Sequence, residues 1–111
     1  MTVHIGPITP ERAGEIMTVQ RAAYLDEARR YGAWDLPPLV ETLQEIKNHL
    51  GDGTPALGAF DGHRLIGSVR SRVDQDRMEV ARLSVAPDFQ GAGVGRRLLE
   101  AISTLAPGHV R

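Results

Sequence analysis

The sequence predicts an α+β fold, a mostly antiparallel, twisted sheet flanked by helices. Two stretches, 39–50 and 93–105, carry apolar residues at helical spacing. Between them lie three short apolar runs, divided by Asp61-Gly62 and by Asp74-Gln75-Asp76, which read as the turns of a meander. Prolines and glycines cut the rest into short elements. The expected order is β-α-α-β-β-β-α.

The elements follow in turn. Val3 and Ile5 alternate in a short first strand over 3–8. Thr9-Pro10-Glu11 opens a helix: Thr suits the cap, Pro the first helical position and an acid the first turn. That helix is expected over 10–30, with Ala13, Ile16, Met17, Ala23 and Tyr24 on its inner face. A loop holding Tyr31, Gly32, Trp34, Pro37 and Pro38 follows. Leu39, Leu43, Ile46 and Leu50 mark a second helix over 39–50, stopped by Gly51. Strands are expected over 55–60, 64–73 and 78–85, with a bulge or bend at Gly67. Strict alternation in the last strand sets Glu79, Ala81, Leu83 and Val85 on one face, and Met78, Val80, Arg82 and Ser84 on the other. The last helix, 93–105, presents Val94, Leu98, Ile102 and Leu105 to the core. His109-Val110-Arg111 reads as the start of a further strand.

Composition narrows the function. The 111 residues fit one domain. Hydrophobic residues make up 41% and charged ones 24%, the balance of an ordinary globular chain. A net charge of −1 offers no basic excess for nucleic acid or an anionic membrane. The absence of cysteine excludes disulfide scaffolds, thiolate metal sites and cysteine nucleophiles. His4, His49, His63 and His109 share no metal-ligand spacing, so surface positions and no metal are expected. No apolar run approaches the ~18 residues of a membrane helix. The first residues, Met-Thr-Val-His-Ile, lack the pattern of a secretory signal, so a cytoplasmic protein is expected.

The chemistry is concentrated in Gln90-Gly91-Ala92-Gly93-Val94-Gly95-Arg96-Arg97. Three glycines at alternate positions open a helix, each costing about 1 kcal/mol of helix propensity against Ala. No Ser, Thr or Asp stands at the cap. The first N–H groups are therefore bare, and a helix N-terminus of this kind binds anions, phosphate above all. Arg96 and Arg97 add charge. The dinucleotide fingerprint fails because Arg96 occupies its sixth position, and the Gly-Lys-Ser/Thr of a Walker loop is absent.

The pattern Gln/Arg-x-x-Gly-x-Gly/Ala, here Gln90 to Gly95, following Leu83-x-Val85-x-Pro87 at a strand end, resembles motif A of the GNAT superfamily of acyl-CoA N-acyltransferases. The order of elements resembles that family along the whole chain. The resemblance implies that the backbone of Leu83, Ser84 and Val85 pairs with the pantetheine arm. It implies that the N–H groups of Gly91, Ala92, Gly93, Val94, Gly95 and Arg96, behind Gln90, hold the pyrophosphate of acetyl-CoA. It further implies a bulge in the strand over 78–85 that opens the sheet to the cofactor. Glu79 is then the candidate base that deprotonates the acceptor amine. Alternation places it in apolar company, where desolvation raises a carboxyl pKa toward neutrality; a solvated or Arg-paired strand-end residue is the competing reading. Tyr31 and Trp34 are candidates for the acceptor pocket, while Tyr24 is expected in the core. Arg70 and Arg72 are expected on a solvated sheet face.

Relatives of this family continue with a fifth strand and further elements. The sequence therefore predicts a GNAT-like domain cut short after the motif A helix, with its C-terminal strands and helix missing. A homo-oligomer, or completion by another chain segment, is expected along the open strand edge. The expected function is transfer of an acetyl group from acetyl-CoA to a small-molecule or peptide amine by direct attack. An acetyl-CoA-binding module without turnover, or a fragment completed by another chain, are the alternatives.

Overall fold

The computed structural model describes residues 2–106. Its sheet runs in the order β1-β2-β3-β4, every neighbouring pair antiparallel: β1 (Val3–Pro7), β2 (Ala56–Asp61), β3 (Arg64–Asp74) and β4 (Arg77–Val85). The α+β class and the meander are as expected. Gly62, at φ 61, makes the β2–β3 turn. Gln75, at φ 56, makes the β3–β4 turn without the conformational freedom of glycine. Helices α1 (Ala13–Tyr31), α2 (Pro37–Val40) and α3 (Leu43–Leu50) precede β2, and α4 (Val94–Ser103) follows β4. No described helix is long and apolar enough to cross a membrane.

Several boundaries differ from expectation. The turn at Pro10–Arg12 is 3-10, and α1 begins only at Ala13. Tyr31 belongs to α1, which ends on Gly32 at φ 62 with its N–H bonded to the Ala28 carbonyl, a left-handed C-cap. The single helix expected over 39–50 is two. Pro37 and Pro38 start α2, and Thr42 then caps α3 with a reciprocal capping box: the Glu45 N–H donates to Thr42 Oγ1 at 3.1 Å and the Thr42 N–H to Glu45 Oε1 at 2.8 Å. Leu105 lies beyond α4 and is exposed. The strand expected at His109-Val110-Arg111 lies outside the described residues.

Two apolar clusters pack against the sheet. In one, Ile8, Ala13, Ile16, Ile46, Phe60 and Leu65 join α1 and α3 to it. In the other, Val3, Ala59, Ile66 and Val69, with Val19 of α1, are grouped with Val94, Leu98 and Ile102 of α4. Two bulges decide which residues go where. Ala59 pairs with Gly67 but Phe60 with Leu65, so Ile66 is the extra residue in β3, next to the expected Gly67. Arg70 pairs with Arg82 but Ser71 with Val80, so Ala81 is the extra residue in β4.

Gly58 is held by contact rather than by conformation. A Cβ there would lie 2.5 Å from Ile8 Cγ2 and 2.9 Å from both Leu65 Cδ1 and Phe60 Cζ. Overpacking a filled core costs about 1–3 kcal/mol. Gly58→Ala is expected to be destabilising by that amount in urea unfolding; a midpoint equal to wild type would show that this cluster has room to spare.

Candidate functional site

The bulge at Ala81 rewrites the facing of β4. Met78, Leu83 and Val85 pack toward α4, as part of that cluster. Glu79 pairs with Arg72, and Arg82 with Arg70, on the face toward α1, α2 and α3. Uninterrupted alternation had put Glu79 with Leu83 and Val85; one extra residue inverts the relation. Glu79 is exposed and stands beside arginines, so the expected apolar, desolvated setting is corrected. It lies on the face of the sheet toward α1, α2 and α3, near the strand end remote from α4.

The other end of β4 leads into the glycine loop. Among the described residues β4 pairs only with β3, so its second edge is open. The Ala86 N–H donates to the Ile66 carbonyl at 2.8 Å, which fixes the parity. Ala86, Ser84 and Arg82 turn their backbone groups toward β3, and Leu83 and Val85 turn theirs to the open edge. Pro87–Phe89 makes one 3-10 turn, and Gly91 at φ 85 and Gly93 at φ 79 carry the chain into α4. Both need glycine for that backbone. Gly93 is the N-cap and no side chain caps the helix. The N–H groups of Val94, Gly95 and Arg96 therefore have no intrahelical acceptor. Gly95 has an ordinary helical backbone, and a Cβ there would touch Val85 Cγ2 at 3.8 Å and Leu83 Cδ2 at 4.0 Å, normal contact. Neither dihedral nor packing demands glycine at 95. Ala92 and Arg96 are exposed beside it. Arg97, expected to add charge here, instead donates through Nη2 to the Val3 carbonyl at 2.8 Å and ties α4 to β1.

The open edge is flanked by two side chains. Gln90 Nε2 donates to the Val85 carbonyl at 3.2 Å, and Tyr24 Oη donates to the Leu83 carbonyl at 3.1 Å. Tyr24 was expected to be simple core; it is half-buried with its hydroxyl on the site. Tyr31 and Trp34 are 70% and 58% exposed. The cavity on this face, about 320 Å³, is lined by Asp35, Pro37, Val40, Glu41, Glu45, Arg72 and Arg82 rather than by those two aromatics.

Behind that cavity lies a polar cluster that the sequence had left unread. Arg70, fully buried instead of solvated, donates from Nη2 to Gln20 Oε1 (2.7 Å) and Glu41 Oε1 (2.6 Å), and from Nη1 to Glu41 Oε2 (3.1 Å). Its Nη1 also meets His49 Nδ1 at 3.0 Å. A guanidinium has no acceptor, so His49 Nδ1 must accept, and its Nε2–H donates to the Ser71 carbonyl at 2.6 Å. His49 is thus part-buried and not the surface residue expected. Burial alone would raise the Glu41 carboxyl, but hydrogen bonds from Arg70 and Gln20, with the charges of Arg70 and Arg82, outweigh it and bring its pKa from 4.5 down to about 2. One local signal bears on this cluster: Thr42-x-x-Glu45 is a capping-box pattern that starts a new helix right after Glu41. Among the described residues no group of three or more His, Asp or Glu is placed to hold a metal ion.

The comparisons agree with the fold. The crystal structure of the PaiA N-acetyltransferase of Thermoplasma acidophilum in complex with coenzyme A superposes with a TM-score of 0.80 at 18% identity, over 95% of this chain and 72% of that one. The N-acetylglutamate synthase of Neisseria gonorrhoeae, complexed with coenzyme A and N-acetyl-glutamate, gives 0.72 at 22%, over 97% of this chain and 23% of that one. A ribosomal-protein-alanine N-acetyltransferase of Brucella melitensis biovar Abortus gives 0.63 at 21%, over 92% and 70%. At such identities the likeness is one of fold. No curated protein matches the chain. The model of the acetyltransferase (GNAT) family matches residues 17–110, most of the sequence, and the chain belongs to that family.

Proposed function

We propose that the chain transfers an acetyl group from acetyl-CoA to a primary amine. One observation carries this reading: an uncapped helix N-terminus, shaped by Gly91 and Gly93, stands directly beside an open strand edge where Leu83 and Val85 offer backbone groups. The first suits a pyrophosphate, which takes N–H donors and the positive end of the helix dipole. The second suits an extended arm bearing amides, which adds to the sheet as a strand would. Coenzyme A is a molecule with both parts in that order. The N–H groups over Gly91–Arg96 bind the pyrophosphate, with Gln90 at their entry, and the edge of Leu83, Ser84 and Val85 aligns the pantetheine.

The amine attacks the thioester carbonyl, its nitrogen loses a proton, and the C–S bond breaks to release coenzyme A. Edge N–H groups of β4 polarise the carbonyl. Glu79 accepts the proton, directly or through water. Its place on the face toward α1, α2 and α3, paired with Arg72, which lines the same cavity as Glu41 and Arg82, supports an acceptor arriving from that side. The family's fold serves small-molecule and protein acceptors alike, and Tyr31 and Trp34, both exposed near α2, are in reach of a bulky acceptor of either kind.

Glu79→Gln tests the base. In a thiol-release assay the variant is expected to fall about a hundredfold below wild type near neutral pH. The gap should narrow as pH rises and the amine is already free. Equal rates with parallel pH profiles would show Glu79 to be a bystander. Binding of acetyl-CoA with no thiol release at any pH, over a panel of amines, would make the chain a binding module instead.

A further inference from the structure

The open edge of β4 is already in use. Leu83 and Val85 are edge residues whose carbonyls face outward, and each of those oxygens accepts a side-chain hydrogen bond, from Tyr24 and Gln90 respectively. The donors come from separate parts of the chain: Tyr24 from α1, and Gln90 from the turn after β4. Their acceptors are two residues apart, about 6.8 Å along a strand. Both bonds are long for their type, 3.1 Å for a hydroxyl and 3.2 Å for an amide, so both are weak and easily exchanged. Beside Gln90, α1 and the turn enclose a groove of about 420 Å³ with Ala22, Asp26, Arg29, Pro87 and Gln90 in its walls.

We propose that Tyr24 is a placeholder at the acyl-CoA site, its hydroxyl standing in for a pantetheine amide at the Leu83 carbonyl while Gln90 does the same at Val85. The inference rests on the acetyl-CoA reading above. An unpaired edge carbonyl in a half-buried cleft is costly to leave without a donor, and an open edge recruits foreign strands. The two caps satisfy those two carbonyls in the free protein. A bound pantetheine arm carries two secondary amides and presents N–H donors along the same line. It takes over the oxygens, and the Tyr24 hydroxyl and Gln90 amide are released to water or to the ligand's own carbonyls. Gln90 adjoins the phosphate loop and Tyr24 lies one strand repeat farther along, so Tyr24 governs the acyl end of the arm and not the nucleotide end.

That polarity gives the test. Coenzyme A and adenosine bisphosphate, its nucleotide end without the pantetheine arm, are titrated calorimetrically into wild type and Tyr24→Phe. Removing the cap leaves the Leu83 carbonyl open, so Tyr24→Phe is expected to bind coenzyme A about two- to tenfold more tightly, the range of one net hydrogen bond. Affinity for adenosine bisphosphate stays unchanged. A purely structural role for the hydroxyl would move both ligands together. Equal or weaker binding of coenzyme A by the variant overturns the proposal. A wild type that binds the nucleotide but gains nothing from the arm overturns it too, leaving the phosphate loop standing. A wild type that binds neither ligand overturns the acetyl-CoA reading itself. Should Tyr24→Phe not fold, Tyr24→Leu removes the same hydroxyl and is read in the same way.

Discussion

Gly93→Asp is expected to lower the affinity for acetyl-CoA about a thousandfold, while Gly93→Asn stays within about tenfold of wild type. Gly93 sits at φ 79, and a Cβ added there meets open space. Any L-residue is strained at that φ, but Asp and Asn tolerate it better than others and to a similar degree. The pair of variants therefore shares its backbone cost and differs in one negative charge. A carboxylate about 4 Å from a phosphate charge, at the effective dielectric of a protein surface, is repelled by about 4 kcal/mol. That is roughly a thousandfold in binding. Calorimetry on both variants, with far-UV spectra confirming the fold, reads the result. Binding by Gly93→Asp at the wild-type level would remove the phosphate from this loop. Equal losses in both variants would trace the effect to the shape of the loop instead of its charge.

Most of the fold was legible because its signals are local. Asp61-Gly62 announces a hairpin, the spacing of Val94, Leu98 and Ile102 announces an amphipathic helix, and Gly51 stops α3. The break at Glu41 was also written locally, as Thr42-x-x-Glu45, but the apolar spacing of Leu39, Leu43 and Ile46 runs straight through it and masks the cap. Periodicity reports which side of an axis a residue takes; it does not report that the axis has bent.

The site was legible where its residues violate local preference and illegible where their facing depends on pairing. Gly91 and Gly93 are costly in a helix start, and the structure supplies the reason in their positive φ values. Glu79 is the opposite case. Its facing depends on whether Ala81 is paired, and that is decided by register with β3, which no residue of β4 announces. The family pattern did imply a bulge in this strand, and that implication conflicts with the uninterrupted alternation that put Glu79 among apolar neighbours. The bulge prevails. Arg70 was misplaced for a related reason. A charged residue in a strand reads as solvent-facing, yet three polar partners, Gln20 of α1, His49 of α3 and Glu41 at the α2–α3 junction, are folded over it, and such partners are visible only once the chain is compact.

That buried guanidinium is expected to make Glu41 one of the residues the fold can least lose. Arg70 is fully buried, and Glu41 meets it with both oxygens, fork to fork. Removing one partner of a buried pair leaves an uncompensated charge, at about 3–5 kcal/mol. Glu41→Ala is therefore expected to be destabilising by that amount, a fall in melting temperature of at least about 12 °C for a chain near this size. The double variant Arg70→Met, Glu41→Leu removes both charges and should recover much of the loss, because well-packed apolar residues replace such pairs at little cost. The same pair predicts the acid behaviour. The Glu41 carboxyl titrates at about 2 in the folded chain against an ordinary 4.5, so on acidification the unfolded chain takes up its proton first. The stabilisation is whole above about 4.5 and is lost as pH falls from there through about 2. Urea unfolding across that interval should show the gap between wild type and Glu41→Gln closing as the pH drops. A gap that stays constant would mean that the carboxylate does not bear the charge that holds Arg70, and that Gln20 and His49 suffice to keep α1, α2 and α3 on the sheet beside the site.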